Sequence, residues 1–572
     1  MKKYKLFSVL ATAAAFTFSM SSCYDLDTVP MDKPSAATFF KTQAHADQAM
    51  AAIYSVMQQG HVYGYAFGLD CLGGIAMGYD NPSYLEVMKG TYTGTTGYIT
   101  NKWSQTYEGI TRANNFLINV DGIDMTEELK AQYKAEARFM RGLYYWTLSR
   151  FFGGVPYYDE TTNVVTDYGN MKKPRETEAK IQEYVLADLE EAINKLPDEW
   201  DAANKGRATK WAATALKGKI LLFQENYADA ATCFEAVVNS GKFDLYPDYA
   251  GLFKQGGDES SEMIFAIQNI GGVGLNYGMP MAFHMGTRST YGSCWNNVMA
   301  SNTFVESYEW KDGKPFDWED VFPGMKNNPD KMKEVFRVTL NEAGNGVKAY
   351  PASKETLLEM YDNRDPRMAA SIILPYTTYI GWYGGKAHPS EYVVAKKQFP
   401  TGLGLLVQNG SKEQYFWRKF VPEADEGGIN NREDTPINFP LIRYADVLLM
   451  LAECYNEDDT KRGDAIDLIN EVRDRAGMPA INNGDAWMAA NTKDEVFQRI
   501  KHERAVELAA EGHSFDDMRR WGLLETLNGR VEYSIPGDLQ FTRVVTERDY
   551  LWPIPTAEIE KNPDLLPNNP GW

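Results

Sequence analysis

Residues 209–238 read TKWAATALKGKILLFQENYADAATCFEAVV, and this stretch indicates how the chain folds. Its helical pattern is interrupted at positions 225–226, which predicts two consecutive helices. The first helix carries the small residue Gly218, and the second carries the large residues Tyr227 and Phe234. Small residues let two antiparallel helices approach closely, and aromatic side chains fill the space between them. Because one such pair cannot bury its apolar face alone, we expect further helix pairs to pack against it.

This pair resembles a tetratricopeptide repeat, and the sequence predicts two more pairs of the same kind. One pair spans residues 441–456 and 463–476, with Ala452 at the position of close approach. A weaker pair joins the long helix around Gly142 to a helix over residues 181–196. The repeats are scattered along the chain and not tandem, which favours one composite unit over a regular array.

The helical periodicity fades in the middle of the chain, where Gly, Pro, Asn and aromatic residues predominate. We predict loops with short strands there, because long loops on a rigid scaffold commonly carry binding surfaces. The predicted fold is mainly α, a tetratricopeptide-like helix-pair scaffold with a large irregular loop-rich region. Its expected parts form a single unit over 23–572, with helical scaffold over 35–250 and 436–530, ligand-binding loops over 251–435 and an extended tail over 531–572.

The amino end has the pattern of a lipoprotein secretion signal. Three lysines within the first five residues precede an uncharged apolar run over residues 6–20, and the chain reaches Cys23 directly afterwards. The run is too short to span a bilayer comfortably, and small residues precede the cysteine where a signal peptidase must reach the backbone. We therefore expect residues 1–22 to be a signal peptide and Cys23 to carry acyl chains, so that a lipid anchor is the only membrane attachment. The alternative is ordinary secretion with Cys23 left as a thiol.

Charge and cysteine content limit the function further. The chain has 58 basic and 78 acidic residues, a net charge of −20, which opposes binding to nucleic acid and favours neutral or cationic ligands. No CxxC pair or histidine spacing suits zinc, so we expect no metal site. Cys233 and Cys454 lie in helical apolar patterns and are expected in the core, whereas Cys71 and Cys294 fall in Gly-rich loops that allow exposure. Whether Cys71 and Cys294 pair is open at this stage.

A resemblance to a known family rests on residues 503–522, which read ERAVELAAEGHSFDDMRRWG. This segment looks like the carboxy-terminal signature of the SusD/RagB family of outer-membrane nutrient-binding lipoproteins. The start at Cys23, which reads CYDLD, resembles the mature amino end of that family, and LIRYADVLL over 441–449 resembles its central helix. The segments 138–156 and 562–572 resemble the long early helix and the closing tail.

The resemblance implies a SusD/RagB-like fold and a lipoprotein on the outer membrane that faces the cell exterior. Such a protein captures a glycan, or a peptide in the RagB branch, and acts as a lid on a SusC-like TonB-dependent transporter. It also implies no catalytic machinery and no cofactor.

A surface glycoside hydrolase is the competing interpretation. Glu507 and Glu511 are four residues apart and are expected on one helical face, as a pair of glycosidase carboxylates requires. Arg504, Arg519 and Arg520 nearby favour a structural ion-pair network instead, because guanidinium groups keep carboxylates ionised. No GxSxG, P-loop or HExxH motif occurs in the sequence.

A glycan site needs exposed aromatic rings for the apolar faces of the sugars, with polar side chains for their hydroxyls. The chain has 13 Trp and 34 Tyr, and those in Gly-rich loops are the better candidates. Trp295 is the strongest single candidate, and Asp70 is a candidate acceptor for a sugar hydroxyl. The other expected contacts are Tyr79, Asn81, Tyr84, Tyr291, Asn296, Trp382, Tyr383 and Tyr392.

Overall fold

The structure is a computed structural model that describes residues 39–163, 166–167, 169, 171–270, 277–426 and 431–572. The expected signal peptide and Cys23 lie outside these residues. The described chain is mainly helical, with short two-stranded sheets between the helices. None of the helices in the described ranges is both long and apolar enough to cross a membrane.

The first part of the chain is mainly helical. Thr126 and Thr177 cap the amino ends of two long helices by accepting hydrogen bonds from the backbone N–H groups of Leu129 and Lys180. Such a cap is worth roughly 1 kcal/mol. The long early helix ends at Gly153, where the backbone takes a positive φ. The elements are α1 Gln43–Tyr54, β1 Ala76–Gly78, α2 Leu85–Met88, α3 Gly97–Asn119, α4 Glu127–Phe152, α5 Glu178–Lys195, α6 Lys210–Phe223 and α7 Tyr227–Asn239.

The first predicted helix pair is confirmed as α6 and α7, and the weaker pair is confirmed as α4 and α5. A Cβ placed on Gly218 would lie 2.7 Å from the Phe234 ring, so only glycine permits this separation of α6 and α7. Asn226 caps α7, with its side chain accepting from the backbone N–H of Asp229. The aromatic residue and the small residue therefore act together to set the spacing of the pair.

The middle of the chain has the short strands that the sequence predicts, together with short helices that it does not. The strands pair antiparallel as β1 with β3, β4 with β5, β6 with β9 and β7 with β8. The elements are α8 Tyr249–Leu252, β2 Met263–Ile267, α9 Met281–Met285, α10 Arg288–Tyr291, β3 Val298–Ala300, α11 Asn302–Ser307, α12 Pro329–Phe336, β4 Thr339–Leu340, β5 Val347–Ala349, α13 Lys354–Asp362, α14 Pro366–Ser371, β6 Ile372–Ile373, β7 Thr378–Tyr383, β8 Lys386–Glu391 and β9 Phe416–Trp417.

The second predicted pair is confirmed with a later start than expected. Its elements are β10 Phe439–Arg443, α15 Tyr444–Asn456, α16 Arg462–Arg475 and α17 Lys493–Glu507. Residues 441–443 belong to β10, which pairs with β2 across the chain, and not to the helix. The helices α15, α16 and α17 pack together around Ala452, Ala465 and Ile469.

The carboxy-terminal part completes the scaffold with α18 Ser514–Arg520, β11 Val531–Tyr533, β12 Leu539–Thr542 and α19 Thr556–Lys561. The segment expected as an extended tail thus contains a hairpin and a helix. Trp552 lies in the core against Phe151, with ring centroids 4.5 Å apart, and this contact fastens the tail to α4.

Candidate functional site

A two-stranded sheet brings distant loops together. β1 and β3 pair antiparallel, with Gly78 opposite Val298. The chain leaving β1 and the chain entering β3 therefore run side by side, so that Tyr79 comes next to the segment that begins at Trp295. The Tyr79 hydroxyl donates to the Trp295 carbonyl at 2.5 Å, although the two residues are 216 positions apart in sequence.

The polar contacts of Tyr79 fix the loop and occupy its hydroxyl group. Asn409 donates from Nδ2 to the Tyr79 hydroxyl at 3.0 Å and accepts from Arg288 Nη2 at 2.7 Å. Asn296 accepts from the Asn409 backbone N–H at 2.6 Å, which joins the same loops a second time. Burial raises the pKa of Tyr79, so the phenol is neutral at physiological pH. What Tyr79 offers outward is its ring rather than its hydroxyl.

Trp295 has the accessible ring of this region, with 37% of the residue exposed. The Phe283 ring supports it from one side, with ring centroids 5.1 Å apart. The Trp295 backbone N–H also donates to the Phe283 backbone carbonyl at 2.8 Å. The Arg432 guanidinium lies 4.2 Å from the Phe283 ring and 5.9 Å from the Trp295 ring. It also donates to the Ser293 carbonyl at 2.7 Å. These contacts hold the indole in place while leaving part of it open to solvent.

The hairpin of β7 and β8 packs against α10. Its turn is Gly384-Gly385, and both residues have positive φ, as a two-residue turn of this type requires. A Cβ on Gly381 would lie 2.1 Å from the Ser289 carbonyl oxygen, so the strand and α10 are in direct backbone contact. A Cβ on Gly292 would lie 3.5 Å from that of Tyr383, which places Tyr383 beside the end of α10.

The alternation of side chains along β7 separates its two candidate aromatic residues. Tyr379 and Gly381 are buried, and Ile380 is exposed between them. Tyr383 shares the side of Gly381 and stacks on His388 with centroids 3.6 Å apart. Trp382 is on the opposite side of the strand, directed away from α10. The hairpin therefore contributes Tyr383 to the region around Trp295 and not Trp382.

We call the resulting surface the aromatic face. Its members are Tyr79, Phe283, Trp295 and Tyr383, of which Trp295 is exposed and the others are partly buried. The predicted contact Tyr291 is the last residue of α10 and is also partly buried. Asn81 is exposed beside it and accepts a hydrogen bond from Asn297 Nδ2 at 2.9 Å. Rings held in this way offer apolar surface for stacking, with polar groups around it for hydrogen bonds.

Four of the expected contact residues are buried, and the expectation that they face a ligand is wrong. Asp70 is 0% exposed and accepts from the Ser514 hydroxyl at 2.7 Å and from the Gly512 N–H. Tyr84 packs on Tyr98, with ring centroids 5.2 Å apart. The buried Tyr392 donates to the Gln414 carbonyl at 2.6 Å, and the buried Asn296 fixes the loop as described above. Each was selected because Gly-rich sequence surrounds it, and such sequence also occurs where the backbone packs closely.

The two loop cysteines are also buried. Cys71 and Cys294 are both free, which answers the open question about their pairing. Burial raises the pKa of the Cys294 thiol to about 12, so it stays protonated and unreactive.

The paired carboxylates of the signature segment lie in the interior. The Glu507 carboxylate contacts Arg443 at 2.8 Å, Arg367 at 3.0 Å and Arg475. The Glu511 carboxylate contacts Arg443 Nε at 2.8 Å and Lys419 at 2.7 Å. We call this cluster the ionic core, and its members are Glu262, Arg367, Lys419, Arg443, Arg475, Glu507 and Glu511.

The electrostatics of the ionic core do not suit acid–base chemistry. Burial alone raises the pKa of Glu507, but Arg475, Arg443 and Arg367 outweigh it and hold the pKa well below its usual range. Burial likewise opposes ionisation of Glu511, and Arg443 and Lys419 lower its pKa overall. Both groups therefore stay ionised, and the interpretation as a structural ion-pair network is confirmed. The arginines expected to hold them are wrong, however, because Arg504, Arg519 and Arg520 pair with other carboxylates.

Sequence reasoning missed several residues of the aromatic face. These residues are Phe283, Arg288, Asn409, Lys412 and Arg432. No local pattern marks them, because each reaches the face through pairing between segments distant in the chain. Over the described ranges, no group of three or more His, Cys, Asp or Glu side chains is arranged to hold a metal ion.

The architecture is that of a helix-pair scaffold that carries a loop-built aromatic face. The chain belongs to the SusD family, whose sequence model matches residues 261–572. A second family model, described as starch-binding associating with outer membrane, matches residues 26–222. The two matches are separated by residues 223–260, which contain α7 and α8.

Individual relatives agree with this assignment. SusD-like protein P2 of Formosa agariphila is 27% identical over 100% of both chains. A crystal structure of a SusD-like carbohydrate binding protein from Bacteroides fragilis superposes with a TM-score of 0.73 at 23% identity, covering 92% of this chain and 100% of the other. Surface glycan-binding protein A from Bacteroides thetaiotaomicron, in complex with laminarihexaose, superposes with a TM-score of 0.62 at 20% identity and covers 92% of this chain and 100% of its own.

Proposed function

We propose that this protein binds a glycan on the aromatic face and delivers it to a SusC-like TonB-dependent transporter of the outer membrane. It is anchored there by acyl chains on Cys23, with the folded body facing the cell exterior. It binds the glycan without cleaving it. Membership of the SusD family supports this proposal, as does the glycan named for one structural relative.

The observation that carries the proposal is the exposed ring of Trp295. The residue is held in place by backbone and side-chain contacts with Tyr79, with Phe283 of α9 and with Arg432. A fixed ring binds without losing conformational freedom, so stacking on the apolar face of a sugar contributes directly to affinity. The interior position of Glu507 and Glu511 supports binding without hydrolysis.

The test compares two exposed tryptophans. Trp295→Ala should weaken binding to a polysaccharide by at least about tenfold, because it removes a central aromatic contact. Trp487→Ala is the matched control, since Trp487 is 40% exposed and follows α16 outside the aromatic face. Affinity is measured by isothermal titration or affinity electrophoresis, and the melting temperature of both variants should change little. Equal affinity of Trp295→Ala and the unmodified protein would remove this face from the site.

Four further measurements address the remaining parts of the proposal. Native mass spectrometry of the purified protein detects any short peptides that it retains. Such peptides would indicate that the ligand is a peptide and not a glycan. New reducing ends after incubation with polysaccharide would indicate an enzyme. Delivery to a transporter predicts co-purification of an outer-membrane barrel protein, and Cys23→Ala should release the protein from the membrane fraction.

A further inference from the structure

The aromatic face differs in charge from the rest of the chain. The protein has a net charge of −20, yet Arg288, Lys412 and Arg432 all lie at this face. The carboxylates close to it are Asp80 and Glu433, both exposed. Glu433 lies 4.0 Å from Arg432 and partly neutralises it. Among the described residues, no carboxylate oxygen lies within 4.0 Å of the cationic nitrogens of Arg288 or Lys412.

Lys412 lies over Tyr79, with its ammonium 4.1 Å from the ring centroid. Burial lowers the pKa of Lys412, and no carboxylate offsets that effect. A half-buried ammonium that loses hydration without gaining a counter-charge is costly to maintain.

Some other lysines over aromatic rings in this protein have a carboxylate as well. Lys354 lies 3.8 Å from the Tyr350 ring and 2.7 Å from Glu391. Lys461 lies 4.5 Å from the Tyr455 ring and 3.1 Å from Glu235. Among the residues that the structure describes, Lys412 and Lys501 each have the ring without the carboxylate, but Lys412 lies at the aromatic face together with Arg288, where it can bind an anionic group of a ligand.

Arg288 adds an unpartnered hydrogen-bond donor, its Nε, in the network that reaches the Tyr79 hydroxyl. Its Nη2 donates to Asn409, which in turn donates to the Tyr79 hydroxyl. Its buried Nε has no hydrogen-bond partner in the described part of the chain. Arg288 and Lys412 thus both act on Tyr79, one through Asn409 and the other over the ring.

We infer that the glycan bound at the aromatic face is anionic, and that its carboxylate or sulfate group is bound by Lys412 and Arg288 beside Tyr79. This inference rests on the proposed function and narrows it to one class of ligand. An anionic sugar unit supplies the missing counter-charge, and its neighbouring ring stacks on Trp295. The overall negative charge of the chain repels anionic ligands from the rest of the surface. Binding is therefore confined to the face where these cations outweigh that charge, which makes the site specific.

The experiment begins with a panel of neutral and anionic polysaccharides. The neutral members are laminarin, starch, galactan, mannan and xylan, and the anionic members are polygalacturonate, alginate, chondroitin sulfate and carrageenan. Each anionic binder is then compared with a form that lacks the charge: the methyl ester for polygalacturonate and alginate, the desulfated polymer for carrageenan, and the desulfated and methyl-esterified polymer for chondroitin sulfate, which carries both groups. The pair that differs identifies whether a carboxylate or a sulfate is recognised.

The expected result is binding to an anionic member, loss of binding to its neutral form, and weaker binding at high salt. Lys412→Gln should weaken that binding by at least about tenfold, and Lys412→Arg should retain most of it. The matched control is Lys501→Gln, because Lys501 is also half-buried over a ring, Phe497, with its pKa lowered by burial, but lies on α17. Arg288→Gln is a second, independent variant, and thermal unfolding checks that each variant is folded.

Two results would overturn the inference, and they are distinguishable. Binding to a neutral polysaccharide that is independent of salt and unchanged in Lys412→Gln would refute an anionic ligand, while the proposed glycan-binding function would stand. If no polysaccharide of the panel binds, the proposed function fails and the inference fails with it.

Discussion

Arg443 and Arg432 both lie near aromatic rings, yet their surroundings differ. The Arg443 guanidinium is 5.5 Å from the Phe253 ring and contacts Glu262, Glu507 and Glu511 in the ionic core. The Arg432 guanidinium lies over Phe283 at the aromatic face, where a backbone carbonyl and an exposed carboxylate are its partners. The first is fully enclosed by opposite charges, and the second is open on one side.

This difference shows how the same residue types serve stability in one region and recognition in another. In the ionic core every charge has partners inside the protein, so the residues are inaccessible and their removal leaves other charges buried alone. At the aromatic face the rings and cations retain unsatisfied surface. Residue type by itself therefore does not indicate function in this chain. What indicates function is whether a charge or ring has all its partners inside the protein.

The largest expected effect comes from breaking the ionic core. Arg443→Met leaves Glu262, Glu507 and Glu511 with buried negative charge that is no longer balanced, and should lower the free energy of unfolding by roughly 3–5 kcal/mol. Urea denaturation measures this loss. The control is Arg462→Met, because Arg462 pairs with the exposed Asp459 and such surface pairs are worth about 1 kcal/mol or less. Similar losses in the two variants would contradict the assigned role of the core.

A second prediction tests the buried position of Asp70 through the pH dependence of the free energy of unfolding. Burial raises the pKa of Asp70 to about 7 from 3.8, against the lowering effect of its bonds to Ser514 and Gly512. The stability from the protonated acid is fully present below the unfolded pKa of 3.8 and is lost as pH rises through 7. Relative to Asp70→Asn, the unmodified protein should therefore become less stable from pH 4 to pH 8, by a few kcal/mol at most since each pKa unit is worth ~1.4 kcal/mol.

The measurement is the difference between the two unfolding free energies at each pH. The ionic core changes in the opposite direction, because the lowered pKa values of Glu507 and Glu511 give stability that is lost as pH falls, but it is present in both proteins and cancels. A flat difference between pH 4 and pH 8 would show that Asp70 keeps its charge in the interior.

The smallest expected effect concerns the two sides of the β7 strand. Trp382→Ala should change glycan affinity by less than about twofold, because the Trp382 side chain points away from α10 and the aromatic face. Tyr383→Ala, one residue further on the other side of the strand, should weaken binding more. Isothermal titration with both variants decides between them, and the reverse order would move the site to the outer side of the hairpin.

Local patterns were sufficient to predict the helix pairs. Gly218 and Phe234 lie within one short segment, so their spacing indicates both helices and the close approach between them. The start of the second pair was misplaced, since residues 441–443 have a helix-compatible apolar pattern but pair with β2, which is far away in sequence. A short apolar run that is buried on all sides has the same sequence pattern in a helix and in a strand.

The candidate site was only partly predictable. Trp295, Tyr291, Tyr79 and Tyr383 were predicted as contacts because aromatic residues in Gly-rich loops stand out, and the structure places Tyr79, Trp295 and Tyr383 on neighbouring segments. Asp70 and Tyr84 have the same kind of surroundings in sequence and are buried, because packing against Ser514 and Tyr98 is decided by distant segments.

The sequence alone determined the scattered helix pairs, the family signature over 503–522 and the expected lipid attachment, because these depend on spacing between near neighbours in the chain. Only the tertiary structure decided which aromatic residues share a surface and which charges remain without partners. Those properties arise where β1 meets β3 and where α10 meets β7. These contacts join segments about 90 to 220 residues apart, which no local pattern encodes.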